Sequence, residues 1–180
     1  MNEILKKGMD DIGGVCCMVK IKNKHRLKQK EIRQLLDEIH NSLDPTYTLS
    51  SSSIETGKID QYELIFLDGI PCFFRVNGQL FYTLKGVEQI DKRFHQVIVD
   101  MGAVKFVTSG ADVMAPGIVA ADGSIVVDDA VWICDETHKK PLAVGRAVIS
   151  GEEMVASKKG KAVRILHFIG DPLWKMISTI

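Results

Sequence analysis

KIKNKHRLKQKEIR (Lys20–Arg33) holds seven Lys or Arg against one Glu, a local charge of +6 in a chain whose formal net charge is zero. Cations clustered this densely are the electrostatic footprint of phosphate binding. Lys20, Lys22, Lys24, Arg26, Lys28, Lys30 and Arg33 are therefore candidate contacts for an RNA backbone or a protein partner. Those that precede the following helix are expected in a turn, where they can converge. A solvated helix entrance also accounts for the cluster. Cations there, however, oppose the helix macrodipole by roughly a few tenths of a kcal/mol, so fold stability gives little reason to place them.

Groups able to catalyse are scattered. His25, His40, His95, His138 and His167 show no ligand or triad spacing. Cys16 and Cys17 are adjacent and point to opposite faces of a strand, so they do not clamp one metal. Cys134 and His138 are two ligands, which do not make a site. The pairs Asp10-Asp11, Asp128-Asp129 and Glu152-Glu153 read as polar turns or element ends. No nucleophile elbow, phosphate-binding glycine loop or zinc-protease motif is present. The chain is expected to bind rather than catalyse, with no cofactor and no metal.

A second stretch stands out, GAVKFVTSGADVMAPGI (Gly102–Ile118), with three glycines, one proline and one lysine. It is either a sharp bend in a core or a surface on which a ligand docks. Lys105 lies one helical turn before Ser109, so the two can share a face. Gly110 and Ala111 are nearly free of side chain, which would permit close approach as well as chain bending. Phe106 is expected in the core, as are Trp132 and Trp174; Trp174 alternatively closes a domain interface.

The elements that position these residues follow from periodicity. VCCMVKI (Val15–Ile21) reads as a strand. Ile32, Leu35, Leu36, Ile39 and Leu43 recur at helical spacing and predict a helix over 28–43, ended by Asp44-Pro45. Ser50–Ser53 is a polar loop. Asp68-Gly69 and Asn77-Gly78 predict hairpins joining strands at 62–67, 71–76 and 79–83. LKGVEQIDKRF follows as a short helix. Beyond His95 the texture becomes short strands with polar turns, including SIVVDDAVWICDE, LAVGRAVIS and AVRILHFI, which suggests a small barrel. Two domains are expected, 1–95 and 96–180. The chain is 46% hydrophobic and 26% charged, ordinary for a packed core. It has no run of ~18 apolar residues and no signal-peptide pattern, which predicts a cytoplasmic protein with no membrane partner.

VDMGAVKFVTSGADVMAPGIV resembles the signature of PUA domains, an RNA-binding module. PLAVGRAVISGEEM and VRILHFIGDPLWKM resemble the later strands of that module, so the likeness covers about 97–175. With KNKHRLKQKEIRQLL and YTLKGVEQI before it, nearly the whole chain resembles the malignant T-cell amplified sequence family of translation-associated proteins, as an archaeal-type homologue. The resemblance implies an α+β fold, an N-terminal pre-PUA domain packed on a C-terminal PUA pseudobarrel. It implies work on the small ribosomal subunit and tRNA in initiation, reinitiation or recycling, and in eukaryotic relatives a partner with an initiation-factor-one-like domain. RNA contacts are then expected at Gly102, Ala103, Lys105, Ser109, Gly110, Ala111, Pro116, Gly117 and Arg146, with amides near Gly102–Ala103 suited to phosphate. The competing functions are an RNA-targeting part of a modifying enzyme and a protein-interaction adaptor with a PUA fold.

Overall fold

Turn chemistry sets the first half of the fold. Asp68 and Gly69 take φ of 48° and 85°, and Asn77 and Gly78 take 51° and 81°. Consecutive positive φ values match the right-handed twist of a tight hairpin. They join β3 (Tyr62–Leu67), β4 (Ile70–Val76) and β5 (Gln79–Tyr82), as the dipeptides predict. The structure, a computed structural model, describes residues 21–89 and 94–180. The strand expected at 15–21, apart from Ile21, falls outside the described residues, and so do Lys20, Cys16, Cys17 and Asp10-Asp11.

Two strands precede this meander. β1 (Lys22–Arg26) and β2 (Ile54–Ile59) complete a five-stranded antiparallel sheet in the order β1-β2-β3-β4-β5. The cations expected to converge in a turn are therefore spread along an edge strand. β1 carries a bulge, since Lys22 pairs with Lys58 and His25 with Thr56, and Asn23 sits at φ 52°. Between them runs α1 (Gln29–Ser42), which buries Leu35 and Ile39. Its start is fixed by the Lys28 amide donating to Glu31 Oε2 at 2.7 Å. The expected short helix is α2 (Leu84–Val87), capped by Thr83 Oγ1 accepting from the Gly86 amide.

The second half is a nearly closed, barrel-like sheet. It contains β6 (Gln96–Val99), β7 (Val113–Met114), β8 (Ile118–Ala121), β9 (Ala130–Asp135), β10 (Pro141–Ala147) and β11 (Lys161–Phe168), in the order β7-β11-β10-β9-β6-β8. Only the β6–β9 pair is parallel among the described strands. α3 (Met101–Val107), a 3-10 turn (Ala115–Gly117), α4 (Gly151–Ala156) and α5 (Pro172–Ile177) fill the connections. In SIVVDDAVWICDE the strand is confined to β9. Asp128 takes φ 73°, and Asp129 Oδ2 accepts from the Val126 amide, which turns Val126 and Val127 outward.

β9 is buried on both faces. Val131 and Ile133 point into the barrel core, while Ala130, Trp132 and Cys134 join Leu64, Phe74 and Phe81 in a core shared with the first sheet. Trp132 Nε1 donates to Phe94 O at 2.9 Å, Lys85 Nζ to Ile177 O at 2.6 Å, and Gln79 Nε2 to Asp128 O at 3.1 Å. Trp174 is half-buried against the shared core. The architecture is α+β, with the N-terminal helix-and-sheet region packed on the barrel.

Candidate nucleic-acid interface

α3 begins where Asp100 Oδ1 accepts from the Ala103 amide at 2.7 Å. Glu136 Oε1 accepts from the Met101 amide at 3.1 Å. The helix start expected to receive phosphate at Gly102–Ala103 is thus already occupied by two carboxylates of the chain, and their charge repels an anion there. The turn that follows α3 closes at Gly110, whose φ of +85° continues no helix and whose added Cβ would lie 2.7 Å from the Phe168 ring. The fold alone demands this glycine. Gly117 is packed on the first turn of α3, where its added Cβ would stand 3.1 Å from Ala103 Cβ, and its carbonyl accepts from the Asp100 amide.

Ala103, Val104 and Val107 face the barrel core. That register turns Met101, Gly102, Lys105, Phe106 and Ser109 outward. Phe106, expected in the core, is 55% exposed, because it lies one position off the buried stripe. Lys105 Nζ rests 4.8 Å from the centre of its ring. The Ser109 hydroxyl donates to Phe106 O at 2.8 Å. Ala111, Met114 and Pro116 extend the exposed surface past the helix.

The sequence reading missed the cations beside this surface. The Ala115 amide donates to Gly160 O at 2.9 Å, and Lys161 pairs with Met114 across β11 and β7. That brings the exposed Lys158, Lys159 and Lys161 against the Met114–Gly117 turn. The run KKGKAVR carried the signal. Lys161 Nζ also lies 2.5 Å from Asp112 Oδ2, and Asp112 Oδ1 accepts from the Ile165 amide. Burial pushes the Asp112 carboxyl up, but Lys161 and the Ile165 amide outweigh it, so its pKa lies below the ordinary value. Arg146 lies on β10, opposite Arg164 of β11. Its guanidinium stands 5.8 Å from the Phe81 ring and 3.9 Å from Asp128 Oδ1, at the junction with the first sheet.

On the N-terminal edge, Lys24 Nζ lies 3.0 Å from Glu55 and 4.8 Å from the Phe66 ring centre. Arg26 Nη2 donates to Ser52 O at 2.6 Å. Lys22, Lys28, Lys30 and Arg33 are exposed, and so is Lys58 opposite Lys22. Elsewhere, His138 leans on Asp135 rather than Cys134, and buried His167 bonds Asp171 Oδ2 at 2.8 Å. Burial pushes the Cys72 thiol up to about 11, which keeps it protonated and poorly nucleophilic at neutral pH. Among the described residues no group of three His, Cys, Asp or Glu could hold a metal.

Residues 95–169 match the PUA domain, and residues 23–89 match a domain of unknown function, DUF1947. An uncharacterized protein of Methanocaldococcus jannaschii is 36% identical over 158 residues, 87% of this chain and 98% of that one. Translation machinery-associated protein 20 of Saccharomyces cerevisiae is 33% identical, over 87% of this chain and 89% of its own. The malignant T-cell-amplified sequence 1 homolog of Drosophila melanogaster is 32% identical, over 82% and 86%. The chain belongs to the malignant T-cell-amplified sequence family. Solved relatives have the same shape. A hypothetical protein from Pyrococcus horikoshii, 30% identical, superposes with a TM-score of 0.77 over 86% of this chain and 99% of its own. A PUA domain protein from Aeropyrum pernix, crystallised with tartrate, is 28% identical with a TM-score of 0.77 over 88% and 92%. No helix of the described residues is long and apolar enough to cross a membrane.

Proposed function

We propose that this family member is a non-catalytic RNA-binding protein of the translation machinery. It acts in the cytoplasm on tRNA and the small ribosomal subunit during initiation, reinitiation or recycling. The observation that carries the reading is the outward face of α3. Met101, Lys105, Phe106 and Ser109 present two apolar side chains, a cation and a hydroxyl to solvent, and the Lys158–Lys161 turn lies alongside. An exposed aromatic suits an unstacked base, and neighbouring lysines suit its phosphates. A single-stranded tRNA 3′ end presents both. The named association of the yeast relatives with the translation machinery supports the same reading.

In this reading Gly110, Gly117 and Arg146 shape the site and its junction with the first domain. Lys105, Ser109, Ala111 and Pro116 touch RNA. The N-terminal cations give a second positive surface, suited to ribosomal RNA or to a partner with an initiation-factor-one-like domain. The test is tRNA and small-subunit binding by Lys105→Glu and Ala111→Leu, paired with thermal melts. Both variants are expected to melt like wild type, since surface changes usually stay within ~0.5 kcal/mol, and to bind more weakly. Normal melts with undiminished binding to both ligands would reduce the stretch to a corner of the barrel.

A further inference from the structure

We propose that the N-terminal domain carries an RNA site of its own, a groove that takes one unpaired nucleotide. The proposal rests on the RNA-binding reading above. A cavity of about 460 Å³ opens between the end of β1, the start of α1 and the segment leading into β2. That volume lies within the ~300–1,000 Å³ of small-ligand sites. Its floor is aliphatic, formed by Leu27, Ile32, Leu36, Leu49 and Ile54. Its rim is polar and cationic, with Arg26 and Lys28 beside Gln29, Ser51 and Ser52; among the described residues no carboxylate lines it, and the carboxylate of Glu31 beside it is held by the Lys28 amide.

The walls are tied together. Arg26 Nη2 donates to Ser52 O, and the Leu27 amide donates to Ile54 O at 2.9 Å. Behind the rim, Asp68 Oδ1 accepts from the Ser52 hydroxyl at 2.7 Å and from the Ser53 amide at 2.8 Å. Asp68 is thereby spent on the wall rather than on the groove. The floor would desolvate the face of a base. The Gln29 amide and the Ser51 hydroxyl both donate and accept, as base edges require, while the Ser52 hydroxyl, its proton committed to Asp68, accepts. Arg26 and Lys28 would take the flanking phosphates. The exposed Lys22, Lys30, Arg33 and Lys58 continue the positive charge along strand and helix, which complements the repeating charge of a polynucleotide. A duplex, whose bases stay stacked, does not enter such a groove.

The experiment uses the full chain with its C-terminal face disabled by Lys105→Glu and Lys159→Glu. A short oligouridine, a duplex RNA and an acidic leucine-containing peptide are titrated against it, alone and with Lys28→Glu or Gln29→Trp added. Oligouridine is expected to remain bound, and each added substitution to weaken it about fivefold or more with an unchanged melt. Cross-links from 4-thiouridine are expected within residues 26–32 or 49–54. Unchanged affinity in both variants, equal binding of the duplex, tighter binding of the peptide, or cross-links elsewhere would each overturn the proposal. An unmodified chain that binds no RNA sinks the functional reading beneath it. An unmodified chain that binds RNA through a groove-insensitive surface sinks the groove alone.

Discussion

Replacing Gly110 by alanine separates fold from contact at the RNA-facing turn. Two costs add. At φ +85° a Cβ crowds the following carbonyl, a penalty of ~1–2 kcal/mol. The new methyl also meets Phe168 Cε1 and Cζ at 2.7 Å, and moving a packed ring costs ~1–3 kcal/mol. Gly110→Ala should therefore lose ~2–5 kcal/mol in urea denaturation, a Tm drop of roughly 4–20 °C for a chain of this size. Phe168→Leu should remove the steric share and leave the backbone share. The double variant is then less destabilised than the sum of the singles by ~1 kcal/mol or more. Where Gly110→Ala is still folded, it should bind tRNA within about twofold of wild type, since the fold alone explains the glycine. A normal melt, additive single variants, or a tenfold loss of RNA affinity in a folded protein would refute the reasoning.

Three further outcomes follow from the packing. Trp132→Ala empties the shared core and orphans Phe94 O, and should cost ~3–5 kcal/mol, read as a drop in the urea midpoint. Ser150→Ala removes the hydroxyl that accepts from the Glu153 amide at the start of α4 and should cost ~1 kcal/mol in a thermal melt. Burial pushes the Asp171 carboxyl up, but His167 and the amides of Trp174 and Phe168 outweigh it, so its folded pKa is depressed. Its stabilisation is complete above the unfolded value of ~3.9 and is lost as pH falls toward the folded value. Urea midpoints taken from about pH 6 to about pH 3 should show that decline in wild type, and a shallower one in Asp171→Asn.

The hairpins were legible because Asp68-Gly69 and Asn77-Gly78 fix their own backbone, and α1 because its apolar residues recur at one period. β1 was not. KNKHR is exposed throughout and becomes a strand only by pairing with β2, which itself contains Gly57 and Lys58. Phe106 was misplaced by one residue of helical register, a distinction set by which side of α3 meets the barrel. Lys158, Lys159 and Lys161 are distant from α3 in sequence, and only the pairing of β11 with β7 brings them beside it. The contact of Arg146 with Phe81 was not legible either, because it depends on the face of β10 that meets the first sheet.

The central claim is that RNA is held on the face built from α3 and the Lys158–Lys161 turn. The salt dependence of tRNA affinity, for intact tRNA and tRNA trimmed of its single-stranded 3′ end, tests it most directly. Wild type should prefer intact tRNA. In Lys105→Glu with Lys159→Glu that preference should vanish and the log–log salt slope should shrink by about one to two, at ~0.7 per phosphate contact on a single strand. Equal affinity of wild type for intact and trimmed tRNA, with a slope the double variant leaves unchanged, would contradict the account.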